Sequence, residues 1–364
     1  MYRGGVAGPR IDVLLPVRRA RRTLPSALGD VLAQRDVDVR VLAVVDTDPP
    51  GHGATTDNTV TRVARSDAAP GDDDGSLAWL EARAADEPRL VVLRGPGAGP
   101  GPALDLALAA VRAPLVAMME ADDRCAHDRL RRQYDFLELH PHLMGVVTRA
   151  GQFGARTPGM RRYLDWQNGL TTQQAMAAER FVEIPALFQT GLYRTQSLWA
   201  AGGFAPRGDW PIDIAFWFRW FQLGLPVQKL PRVLYRWRQH ARQSTRSGGH
   251  ADLDHMRACK VAALTALHGR RLWWPRPILL VSTGATLQAW RDDLAAADVE
   301  LIDTVDWKPG QPPPSLPANW HPPKPPPVWG PPLIVAAYGT PSVRDKLRAA
   351  LGHPSEPDAL LFTA

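Results

Sequence analysis

The sequence predicts an α/β protein: a large, mostly parallel sheet with flanking helices, followed by a smaller α/β unit at the C-terminal end. Short apolar runs and amphipathic segments alternate through the first third of the chain. The run Pro114-Leu115-Val116-Ala117 is apolar throughout, as expected of a parallel strand buried on both faces. The same alternation restarts after Pro275, beyond a helical stretch. With 364 residues, 22 % charged and 45 % hydrophobic, the chain has a globular composition and room for two domains.

Residues 11–17 read as the first strand. Residues 23–34 form a helix with Thr23 as N-cap and Pro25 in the first turn. Residues 39–46 are the second strand; a helix begins over 59–65, 71–75 is a polar loop, and 77–85 is a helix. Residues 90–93 are the third strand, and a Gly- and Pro-rich run over 94–102 leads into a helix over 103–111. Strands spaced by such helices pair in parallel through right-handed crossovers.

The fourth strand closes on Met118-Met119-Glu120-Ala121-Asp122-Asp123. Three carboxylates there would lie at the carboxyl edge of the sheet, where open α/β folds bind ligands. Crowded carboxylates repel each other unless a cation sits among them, and hard oxygen ligands suit Mg²⁺ or Mn²⁺. The competing reading is an acidic loop capping the helix that starts near Asp128, for which one Asp would serve.

A net charge of +6 and a pI near 9.6 suit an anionic ligand or a lipid surface. The arginines are dispersed, densest at Arg18-Arg19 and Arg21-Arg22, so nucleic acid is not an expected partner. Two cysteines, Cys125 and Cys259, are too few for a disulfide framework and fit a reducing cytoplasm. No signal peptide opens the sequence and no apolar run reaches about 18 residues, so no transmembrane segment is expected. Cys125, His127, His140 and His142 lack a recognised zinc spacing.

Six motifs in order carry a family resemblance: Leu15-Pro16-Val17; residues 28–34; Val44-Val45-Asp46; Glu120-Ala121-Asp122-Asp123, continued by Asp128-Arg129-Leu130 and Gln133; Ala201-Gly202-Gly203-Phe204; and Tyr235-Arg236-Trp237-Arg238-Gln239-His240. Over residues 11–244 the chain resembles the family 2 glycosyltransferases of the GT-A fold, inverting enzymes that use nucleotide-sugars. The resemblance implies transfer of a sugar from a UDP-sugar to an acceptor hydroxyl of a glycan or glycolipid. It implies donor binding by Pro16, Val17, Asp46, Glu120, Asp122 and Arg238, with Asp46 at the nucleobase and Glu120 near the ribose. Asp122 and His240 would hold Mn²⁺ or Mg²⁺ at the diphosphate, and Asp213 would be the catalytic base.

The departures from the family pattern keep other readings open. After Asp46 the family's Asp-Gly-Ser is replaced by residues 47–54, and the motif resumes at Thr55-Thr56-Asp57-Asn58. Glu120 replaces an Asp, Asp105 stands where Asn is frequent, and Ile212 replaces the Glu of a Glu-Asp pair that opens an aromatic helix. Asp209 is the reserve base. Asp46 also suits a strand-ending turn, and Asp213 a helix-terminus charge. Trp210 and Trp217 suit sugar stacking or core packing. A decayed glycosyltransferase acting as a binding scaffold therefore remains an alternative. A sugar nucleotidyltransferase would need a Gly-rich signature after the first strand, where Leu15-Pro16-Val17-Arg18 has none.

The division expected is a GT-A domain over 1–250, a helical linker over 251–275 and a Rossmann-like appendage over 276–364. The appendage contains a proline-rich insertion at 309–332, expected as extended polyproline II. It is similar to tails in the β-1,3-N-acetylglucosaminyltransferase-like branch. Thr283-Gly284-Ala285-Thr286 with Asp303 holds only one of the three glycines of a dinucleotide fingerprint, so docking is the expected role. Trp273-Trp274, between Arg271 and Arg276, reads as a buried hinge or a peripheral membrane contact.

Overall fold

The structure, a computed structural model, describes residues 8–46, 74–155, 157–206, 210–240, 253–269, 278–315, 333–351 and 360–363. The helix expected over 59–65, the segment after Asp46, Asp209, Trp273-Trp274 and most of the proline-rich insertion lie outside the described residues. The chain forms two compact units, Met1–Gln173 with Ala186–Ala251, and Gln174–Pro185 with Asp252–Ala364.

The first unit is built on an eight-stranded sheet of order β3-β2-β1-β4-β7-β6-β8-β5. Its parallel half contains β1 (Arg10–Val17), β2 (Asp38–Val45), β3 (Leu90–Arg94) and β4 (Leu115–Met118). These are the apolar runs of the sequence, and β1 is buried along seven of its eight residues. Their one buried charged residue is Asp12, whose carboxylate takes two bonds from Arg40 and the N–H groups of Arg112 and Ala113. Burial alone would raise its pKa, but these partners outweigh it and the net shift is downward. In register, Val17 faces Val45 and Leu14 faces Met118. Asp46 and the acidic run after Met118 therefore leave the sheet at one edge.

The other half is mixed. β7 (Leu192–Arg194) runs antiparallel to β4 and to β6 (Gly145–Gly154). β8 (Val227–Gln239) runs parallel to β6, and β5 (Arg124–Cys125) closes the sheet antiparallel to β8. Register shifts at Arg149 mark irregularities that bend this pair, as bulges do. The length of β8 carries Arg238 and Gln239 back to the acidic edge.

The Asp-Arg-Leu motif is architectural. Arg129 opens α4 (Arg129–Leu139) fully buried, donating to Gln133 Oε1 and to the carbonyls of Gln189 and Gly191. Gln133 in turn donates to the carbonyls of Val146 and Thr190. Asp128 makes no side-chain cap and instead pairs with Arg132 at 2.6 Å. The capping reading of the acidic loop therefore finds no support in this helix. The aromatic helix α8 (Ile212–Gln222) packs Phe216 and Trp220 against Tyr193, and Trp217 is buried beside them with its indole donating to the Ala186 carbonyl at 2.6 Å. Trp217 is thus a core residue, not a sugar platform.

The second unit carries a four-stranded parallel sheet of order β10-β9-β11-β12. Its strands are β9 (Ile278–Ser282), β10 (Leu301–Asp306), β11 (Leu333–Ala337) and β12 (Leu360–Thr363). Gln174–Pro185 belongs to it: Met176, Phe181 and Val182 are buried, Lys260 donates to the Val182 carbonyl, and Arg348 pairs with Glu179 at 2.7 Å. The large α/β sheet followed by a small parallel one matches the predicted fold class. Among the described residues, no helix is long and apolar enough to cross a membrane.

Candidate active site

The site grows from the end of β4. Asp122 and Asp123 follow a turn in which the Asp123 N–H reaches the Glu120 carbonyl. Asp123 is buried and committed: it accepts from the Tyr235 hydroxyl at 2.7 Å and from the Arg238 N–H at 2.7 Å. Burial first, and the Asp122 charge second, hold it well above the usual carboxylate range. The same Tyr235 hydroxyl accepts from the Glu120 N–H at 3.2 Å. Burial, with Asp122 again adding repulsion, pushes the Glu120 carboxyl up to about 8.

Asp122 is different. Its side chain keeps 32 % of its surface in solvent, and its Oδ2 lies 3.2 Å from Nε2 of His240, which is 41 % exposed. Arg238 donates from Nε to the Asp122 carbonyl at 2.6 Å, and its guanidinium carbon sits 4.5 Å from the centre of the Phe153 ring. Asp122, Arg238 and His240, separated by over a hundred residues, are therefore brought together by the pairing of β8 with β6 and β5.

On the other side of β1, Asp46 is buried, accepting from Gly97 N–H at 2.7 Å on Oδ1 and from Gly99 N–H at 2.8 Å on Oδ2. A Cβ on Gly95 would lie 2.6 Å from the same carboxylate, so the loop fits only as glycine there. Pro16 and Val17 are buried at the end of β1. Arg18 and Arg19, both exposed, follow directly.

Asp213 lies in the first turn of α8, where its Oδ1 accepts from the Ile214 N–H at 2.8 Å. Pro211 is the N-cap of this helix. Trp210 is partly buried just before it, and Asp209 is outside the described residues.

Two groupings escaped the sequence reading. Tyr235 ties Asp123 to Glu120, and Asp105 accepts from Phe204 N–H at 2.6 Å and Ala205 N–H at 3.0 Å. The second accounts for the Gly-Gly-Phe motif: Gly203 sits at φ +73°, and a Cβ there would meet Asp105 Oδ1 at 2.3 Å. Asp105 was visible as a departure from the family pattern, but its partners were not. Neither cysteine belongs to a site. The Cys125 thiol is buried and pushed up to about 11, and His140 stacks on Phe136. Among the described residues, no group of three or more His, Cys, Asp or Glu is placed to hold a metal ion.

Several known proteins share features with this chain. Residues 71–201 match the family model described as glycosyl transferase family 2. A sequence comparison with curated proteins gives no significant match. Among solved structures the chain is similar to S. aureus TarS, with 15 % identity, TM-score 0.49, and coverage of 70 % of this chain and 39 % of that one. It is also similar to S. aureus TarS 1-349 in complex with UDP-GlcNAc, with 15 % identity, TM-score 0.48, and coverage of 71 % and 65 %. The mannosyltransferase PcManGT from Pyrobaculum calidifontis, in complex with GDP-Man and Mn²⁺, gives 15 % identity, TM-score 0.46, and coverage of 80 % and 69 %. The chain thus spans about two fifths of full-length TarS and just under two thirds of its shorter form. The part of the chain that matches glycosyltransferase family 2 thus runs through β4, its acidic edge and the Gly-rich loop that Asp46 grips.

Proposed function

We propose that this chain is an inverting, metal-dependent glycosyltransferase that moves a sugar from a UDP-linked donor to an acceptor hydroxyl of a glycan or glycolipid. The observation that supports it most is the approach of Asp122 Oδ2 to His240 Nε2 at an edge where Asp123 is already committed. One carboxylate and one imidazole, both partly exposed, form a donor set that fits Mn²⁺ and also accepts Mg²⁺.

Asp122 and His240 would hold the cation, and Arg238 would meet the diphosphate with its guanidinium. When bound, the cation offsets the charge that builds on the leaving UDP. Asp46 retains a lone pair on each oxygen beyond its bonds to Gly97 and Gly99, and meets the nucleobase N–H with one of them. Glu120 addresses the ribose. Val17 and Pro16 line the nucleotide with backbone. The acceptor hydroxyl attacks the anomeric carbon from the face opposite UDP; its oxygen bonds to that carbon as the bond to the phosphate oxygen breaks. Asp213 takes the hydroxyl proton. A lipid-linked acceptor would be met at a membrane surface. The second reading, a binding scaffold without turnover, is favoured only by Ile212 and by the altered sequence after Asp46.

Melting curves with UDP and Mn²⁺, and release of UDP from UDP-N-acetylglucosamine, test the proposal. The wild type should gain a Mn²⁺-dependent shift, and Asp122→Ala should lose it with its ligand-free midpoint nearly unchanged. Asp213→Asn should keep that shift and lose about 10²-fold or more in turnover. A wild-type shift in Asp122→Ala would remove that residue from the cation site. Loss of turnover in Asp209→Asn but not in Asp213→Asn would move the base to Asp209. Nucleotide binding with no turnover on any donor would favour the scaffold.

A further inference from the structure

Asp46 and Asp213, assigned above to the donor and acceptor sides, are joined by one continuous set of contacts. Asp46 grips Gly97 and Gly99, and Gly99 immediately precedes α3 (Pro100–Ala109). In the first turn of α3, a Cβ on Gly101 would lie 2.9 Å from the Cα of Ala205 and 3.0 Å from Cδ of Pro206, so helix and chain touch backbone to backbone. One turn later Asp105 receives two successive N–H groups, Phe204 on Oδ1 and Ala205 on Oδ2. Gly203 lets the chain come this close. From the opposite side Arg219, on α8, donates to the carbonyls of Gly203 at 2.8 Å and Ala205 at 3.0 Å. The turn over 203–205 is therefore held by a carboxylate on one helix and a guanidinium on the other. A few residues later it feeds the start of α8, where Asp213 sits.

We propose that Asp105 is a positioning residue: it fixes the entrance of the Asp213 helix to the helix whose start Asp46 holds, so that nucleotide and base keep a set separation. This rests on the reading of Asp213 as the base. Two adjacent N–H groups on one carboxylate define a direction as well as a position, and a misplacement of about 1 Å can cost 10²-fold in rate. Asp105 touches no reacting atom in this scheme. Its effect should appear in turnover and not in donor affinity.

The test has a catalytic arm and an arm that needs no donor. With Mn²⁺ and UDP-N-acetylglucosamine, Asp105→Ala should lower kcat at least tenfold while donor KM stays within threefold. The double variant with Asp213→Asn should be no slower than Asp213→Asn alone. Asp105→Asn, which keeps one acceptor oxygen, should recover part of the rate; if Asp105→Ala fails to fold, this variant carries the same split between kcat and KM. Without any donor, exchange of the Ala215 amide, bonded to the Pro211 carbonyl at 3.0 Å, should quicken at least tenfold in Asp105→Ala. An unchanged kcat, a loss confined to KM, multiplying losses in the double variant, or an Ala215 amide exchanging as in wild type would each overturn the proposal. Wild-type turnover in Asp213→Asn alone would instead sink the base assignment, and this proposal with it.

Discussion

Lys229 is a charged side chain in a position that the sheet buries. It alternates inward with Val227, is 2 % exposed and donates to the Gln167 carbonyl. Burial, with Arg149 adding repulsion, pulls its pKa down from 10.5 to about 7. Between those values the unfolded chain binds more protons than the folded one, so stability should rise with pH from about 7 towards 10.5. Below about 7 both states are protonated and the full penalty, of the order of a few kcal/mol, is present. Lys229→Met should flatten this rise, with its largest gain relative to wild type near pH 6.5 and a smaller one near pH 9. Denaturant midpoints of both proteins across that range would show it, and parallel curves would mean that Lys229 titrates normally. The carboxylates at the sheet edge were legible because spacing carries them: a buried strand followed by Glu120, Asp122 and Asp123 admits few alternatives. Asp105 was not, because its partners are backbone N–H groups, which leave no mark on a sequence.

At the level of elements, periodicity found β1 to β4 and the helices between them among the described residues, whereas β6, β7 and β8 went unread, and the smaller misses have causes. β5 spans two residues and takes its strand character from β8 alone. The helix expected from 103 begins at Pro100, since proline suits a first turn and Gly99, at φ +91°, lets the chain enter it. Thr23 occupies an N-cap position, but its hydroxyl donates to the Ala20 carbonyl and makes no cap bond. The helix α4 gives the sharpest test. Arg129 supplies the only described side-chain partners of the Gln189 and Gly191 carbonyls and lies 5.1 Å from the Tyr235 ring centre. Arg129→Met keeps most of the stem and orphans those carbonyls, at about 2–5 kcal/mol of stability. Arg132→Met, which loses only an exposed pair with Asp128, should cost less than about 1 kcal/mol. Equal losses in chemical denaturation would mean that the buried network is dispensable.

At the scale of the whole molecule, Gln174–Pro185 is the feature no local pattern announces. Its apolar residues look like those of any helix in the first unit, and only the tertiary partners assign them to the second. Phe181 is 1 % exposed, so Phe181→Ala should remove about 3–5 kcal/mol. The damage should fall on the second unit: amides of Leu279, Leu280 and Val281 should exchange faster, while those of Val146 and Leu192 stay protected. The reverse pattern in hydrogen exchange would reassign the segment. The consequence reaches into biosynthesis. At roughly 5–20 residues per second, a ribosome delivers this dozen residues about ten to thirty seconds before the last helix and strand they fold with. For that interval the nascent chain carries Met176, Phe181 and Val182 on a segment already bracketed by a folding sheet. Synthesis order therefore makes the stretch a natural target for chaperones, and it also keeps the C-terminal unit from being shuffled between genes as a single uninterrupted cassette.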